Sequence, residues 1–117
     1  MRAIGAAVLL LLTAVPLGAQ EPASRARSIA DNAGTIVGQA RFCGVREERI
    51  SQIGDRVLSA IARTATSGGA DQRSAIELYS SAVIEGSRRQ RENTSGQSCS
   101  EALRAFDNIE GMLSGEK

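Results

Sequence analysis

Residues 98–113 read Ser-Cys-Ser-Glu-Ala-Leu-Arg-Ala-Phe-Asp-Asn-Ile-Glu-Gly-Met-Leu. Ser98 and Glu101 fit the S-x-x-E capping box, in which each side chain accepts a hydrogen bond from the other residue's backbone N–H. Behind the box, Cys99, Ala102, Leu103, Phe106, Ile109 and Leu113 recur at helical spacing and line one face. The stretch predicts an amphipathic helix that opens on a cysteine. That placement decides the fold, because Cys43, the only other cysteine, stands near the end of the first helical pattern.

From Ser28, apolar residues fall at Ile29, Ala33, Ile36, Val37, Ala40 and Cys43, again one face of a helix. Gly44 follows where a helix C-terminus favours a residue tolerant of positive φ. A second helix carries Glu47 and Glu48 in its first turn and the stripe Ile50, Ile53, Val57, Leu58, Ile61, and Gly68-Gly69 ends it. Asp71 is placed to cap a third helix whose face is Ala75, Ile76, Tyr79, Ala82 and Val83, and whose last turn is rich in arginine. Residues 93–97 form a polar loop around Gly96. No segment alternates with the period of a strand. The reading is all-α: a small four-helix up-down bundle over residues 28–114.

In an up-down bundle the end of helix one and the start of helix four share a pole. Cys43 and Cys99 are therefore expected to form one disulfide that staples the fold. The two lie 56 positions apart, a loop whose closure contributes about 4 kcal/mol in the chain-entropy estimate. Two buried free thiols or a redox pair are the alternatives; the C-x-x-C spacing usual for redox pairs is absent.

Residues 1–19 have the parts of a secretory signal peptide: Arg2, an apolar run from Ile4 to Val15, the helix breaker Pro16, and a small residue at Ala19. Cleavage is expected after Ala19, although Leu17 is bulky for its place. The apolar run is shorter than the roughly 20 residues a membrane-spanning helix needs, and no stable membrane insertion is expected after cleavage. Residues 20–27 are polar, contain Pro22 and show no period; they read as a flexible segment leading into the bundle. A periplasmic or secreted address follows, and such compartments favour disulfides.

Without Arg2 the 14 basic residues become 13 and balance the 13 acidic ones, leaving no field to attract nucleic acid. The chain has no His. That removes Ser-His-Asp and Cys-His catalysis, the commonest metal ligand, and axial or covalent haem attachment. No cofactor and no enzymatic activity are expected. Glu110 alone among the carboxylates falls near an apolar face and reads as a rim group. Asn93-Thr94-Ser95 matches a glycosylation sequon, and Arg88, Arg89 and Arg91 read as a solvated helix end, with binding of an anionic partner as the alternative.

Gly34 and Gly38 are harder to place. Each costs about 1 kcal/mol in a helix interior relative to Ala, and both lie away from the Ile29–Cys43 stripe. Either they are drift in a small protein, or they form a seam where a partner or a second copy approaches. Leu78 and Ile84 fall outside the main stripe of the third helix; either the bundle is broad enough to cover them, or they form an exposed apolar patch.

The stretch Gly38-Gln39-Ala40-Arg41-Phe42-Cys43-Gly44, with Cys99 opening the last helix, resembles the small uncharacterised two-cysteine helical exported proteins of proteobacteria. The resemblance spans about Ile29 to Leu113. It implies a periplasmic address and brings no ligand or catalytic residue. In outline the chain is also similar to periplasmic acid-stress chaperones, though it has a single Lys where they have many. The expected function is a non-enzymatic exported interaction protein, binding another protein or itself. The alternative is an acid chaperone that exposes apolar surface on protonation.

Overall fold

Alanine sets the geometry of the first helix. Ala26, Ala30, Ala33, Val37 and Ala40 are all buried, and their spacing keeps them on one side of a helix that other backbones can approach closely. The computed structural model describes residues 22–65 and 70–115. They form four helices: α1 (Pro22–Phe42), α2 (Glu47–Thr64), α3 (Ala70–Arg91) and α4 (Cys99–Gly115). No strand occurs among the described residues. The signal peptide expected over residues 1–19 and the Gly68-Gly69 stop lie outside them.

Two expected boundaries shift. Helix α1 begins at Pro22, so residues 22–27 are helical and are not the flexible segment expected over 20–27. Proline is well tolerated in the first helical turn because its missing N–H would have no partner there. Ala26, fully buried, extends the core face a turn earlier than Ile29. Helix α3 starts at Ala70, so Asp71 is not its cap; it sits in the first turn, where the helix dipole favours a carboxylate.

Helix α1 is central. It packs most extensively on α3 and also against α2 and α4, whereas α3 and α4 barely touch. Its contact with α3 is set by glycine. A Cβ on Gly34 would lie 2.7 Å from both the Ala82 Cβ and the Tyr79 carbonyl oxygen. A Cβ on Gly38 would lie 2.8 Å from the Ser87 nitrogen and collide with the Val83 carbonyl; one on Gly86 would collide with the Thr35 carbonyl. The order of these contacts makes α1 and α3 parallel, as alternating helices of an up-down bundle are.

The seam proposed for Gly34 and Gly38 is thus real, but it lies inside the chain. Both glycines are buried against α3 and are not a partner contact. The single-stripe reading failed because α1 is covered on two sides. Phe106, Ile53, Ile61, Val37 and Val57, from α1, α2 and α4, are the largest fully buried side chains, and α3 adds Ala75, Tyr79 and Ala82 to the core.

Candidate interaction surfaces

The pole holding the cysteines is built from two matching helix ends. At the end of α1, Gly44 has φ 103°. Its N–H donates to the Arg41 carbonyl at 3.2 Å, and the Val45 N–H donates to Ala40 at 3.1 Å. This is the Schellman arrangement. Asn93 does the same for α3 with φ 62°: its N–H donates to Gln90 and that of Thr94 to Arg89. Asparagine tolerates the left-handed region better than most residues.

Gln90, 8% exposed, ties the following loop down. Its Nε2 donates to the Gln97 carbonyl at 2.9 Å, and its Oε1 accepts from the Ser95 hydroxyl at 2.7 Å. The capping box then starts α4: the Ser98 N–H donates to Glu101 Oε1 at 2.9 Å, and the Glu101 N–H to Ser98 Oγ at 3.1 Å. Cys99 is thereby presented to Cys43, and the two form a disulfide with Cα atoms 5.4 Å apart. Cys99 is exposed and Cys43 half-buried, so the staple lies at the rim and not within the core.

Beside the staple, two large apolar side chains face solvent. Phe42 is 46% and Ile84 70% exposed. With Val83 they line a shallow concavity of about 540 Å³ edged by Arg41, Arg88 and Arg91, with Glu47 the one acidic group. Arg41 pairs with Glu47 at 2.8 Å, and Arg88 with Glu85 and with Glu92. Arg91 has no ion pair among the described residues.

Leu78 does not share this face. It is half-buried against the core and lines a shallow hollow with Ala23, Arg27 and Asp31 of the first turns of α1. Leu78 and Ile84 therefore do not form one patch. The helical turn between them rotates Leu78 toward the start of α1 and leaves Ile84 beside its end.

A second concavity, of about 460 Å³, opens between α1, α2 and α4. It exists because α2 and α4 both rest on α1 and meet each other only lightly. Arg49 of α2 makes their main polar link, donating to Glu110 Oε1 at 2.6 Å and Asp107 Oδ1 at 3.1 Å. Its guanidinium also stacks 5.1 Å from the Phe106 ring centroid. Glu110 first and then Asp107 hold the guanidinium above its ordinary value. Glu110, singled out as a rim carboxylate, is one half of this clasp.

The sequence reading gave Phe42 no role, because it falls outside the Ile29–Cys43 stripe and a single apolar side chain beside a stripe carries no mark of what it will meet. It also missed Arg49, since an arginine on a polar face carries no mark of what it will reach. Among the described residues no group of three or more His, Cys, Asp or Glu converges to hold a metal, and no helix is long and apolar enough to cross a membrane. No protein-family model, curated protein or solved structure matches the chain.

Proposed function

We propose that the chain is a non-enzymatic, exported interaction protein, residing in the periplasm or secreted, that binds a partner protein on the Phe42–Ile84 face. The observation that carries this reading is the pair of large apolar side chains left in solvent at one pole, with three arginines around them. Aromatic and aliphatic anchors with an arginine rim are what binding hot spots are made of. The complementary partner segment presents an apolar side chain flanked by carboxylates. The leader-like start of the sequence and the disulfide support the exported address.

The test is capture from the extracellular or periplasmic fraction of the native host with wild type and with Phe42→Ser/Ile84→Ser. Both residues are exposed, so the double variant should remain folded. A stoichiometric partner retained by wild type and lost by the variant supports the reading. No partner, or equal retention, contradicts it.

One observation favours an acid-responsive chaperone as the second reading. The clasp that ties α4 to α2 over Phe106 is an ion pair of Arg49 with carboxylates, the kind of link that acid weakens, and its loss would loosen α4 and expose its apolar face. Loss of compactness and suppression of client aggregation at about pH 2–3, absent at neutral pH, would select this reading over the first.

A further inference from the structure

We propose that the partner on the Phe42–Ile84 face is a second copy of this chain, its α3 lying antiparallel to the first across a two-fold axis at Ile84. The proposal rests on the binding role given to that face and names what binds there.

Helix α3 has two unlike faces. Ala75, Tyr79, Ala82, Gly86 and Gln90 are buried, at the three- and four-residue spacing of one side. Glu77, Ile84 and Arg91 follow one another at intervals of seven residues, two turns or about 10.5 Å each, and so share a stripe. All three are exposed, Ile84 by 70%. Helix α3 packs on α1, meets α2 lightly and α4 hardly at all, which leaves this stripe in solvent.

The stripe is self-complementary in one direction only. Neither Glu77 nor Arg91 has an ion pair among the described residues, whereas Arg88, on the same side, is already held by Glu85 and Glu92. When two such helices meet antiparallel at Ile84, the Glu77 of each faces the Arg91 of the other. Two ion pairs then form, related by the axis, and the same patch serves both chains. A parallel pairing would set Glu77 against Glu77 and Arg91 against Arg91, which repels.

Packing agrees with charge. Ser80, Ser81 and Ser87 stand around Ile84 and are short enough for a second helix to approach closely. The second Ile84 meets the first and enters the hollow edged by Phe42 and Val83, so one event covers both large apolar side chains left in solvent at this pole. An apolar centre with charged groups at its rim is the usual anatomy of a protein interface. The formal net charge of +1 sets up no field that keeps two copies apart. One helix stripe is a small interface, and the association is correspondingly weak and reversible.

Sedimentation equilibrium of the mature, oxidised protein from about 1 µM to about 1 mM tests this. A reversible monomer–dimer equilibrium is expected, weakened by salt because the ion pairs are exposed. Ile84→Ser should abolish the dimer, and Met112→Ser, exposed on α4, should leave it intact. Glu77→Arg and Arg91→Glu should each weaken self-association about tenfold, since both ion pairs become like-charge contacts. Mixed in equal amounts, these two variants should pair with each other as tightly as wild type does, because every crossed contact again joins opposite charges. All the substituted residues are exposed, so the helical circular dichroism spectrum should be retained throughout. A dimer that survives Ile84→Ser or is lost in Met112→Ser, or charge variants that fail to pair when mixed, would overturn the proposal. A chain that stays monomeric yet captures a different protein through Phe42 and Ile84 would overturn it while leaving the binding role in place.

Discussion

Gly38 in α1 lies so close to the carbonyl oxygen of Val83 in α3 that no Cβ atom fits between the two backbones. The relationship explains a residue that local helix propensity would reject. Glycine costs about 1 kcal/mol in a helix interior, and here close packing of two parallel helices offsets that cost.

Gly38→Ala should therefore destabilise the protein by about 2–4 kcal/mol, since the helices must move apart along the seam. Gly111→Ala should do the opposite. Gly111 is exposed in α4 with nothing near its missing side chain, so alanine should stabilise by up to about 1 kcal/mol. Urea unfolding midpoints of the two variants check this, and matching signs would contradict the packing account.

Loss of the Cys43–Cys99 bridge should cost about 2–4 kcal/mol. The loss should be felt first in α4, which buries only Ala102 and Phe106 and barely touches α3. Hydrogen exchange under reducing conditions should show protection falling across α4 while the seam residues of α1 and α3 stay protected. Uniform loss would mean that the four helices open as one unit.

Ser98→Ala should cost about 1 kcal/mol, because the Glu101 N–H loses its acceptor and α4 its defined start. Thermal unfolding reads this effect. A neutral result would mean that the disulfide alone fixes the beginning of the helix.

Arg88, and after it Arg89, hold the Glu85 carboxyl below its usual range. A carboxylate depressed in this way stabilises the fold above its unfolded-state value, and the contribution fades as pH falls through the folded-state value. The group is well exposed, so the effect is small. Glu85→Gln should be slightly less stable than wild type at neutral pH, and the gap should close as pH falls below the usual carboxylate range. A gap that widens in acid would contradict the assignment.

The helices whose burial is one-sided were legible in the sequence. Ile53, Val57 and Ile61 of α2, and Ala102 and Phe106 of α4, are buried as their spacing predicts. The capping box at Ser98 and the glycine end at Gly44 also form as read, because both are local chemistry. Helix α1 was legible only in part. A residue such as Gly34 on its far side looks surplus when one stripe is assumed to face the core, and becomes necessary once a second helix covers that side. Ala26 was lost for a related reason: alanine suits a helix anywhere and marks no face. The interaction surfaces were legible only at Ile84, which falls outside the α3 stripe and is exposed; whether Phe42 or Ile109 meets solvent depends on how four helices stack, and no single helix encodes that.

Intact-mass analysis of the protein isolated from its native host tests most directly the claim that this is an exported bundle held by one bridge. The account predicts a chain beginning near Gln20, lighter than its fully reduced form by two hydrogens and unreactive toward thiol reagents until reduced. A chain still carrying residues 1–19, or one with both Cys43 and Cys99 free, would contradict it.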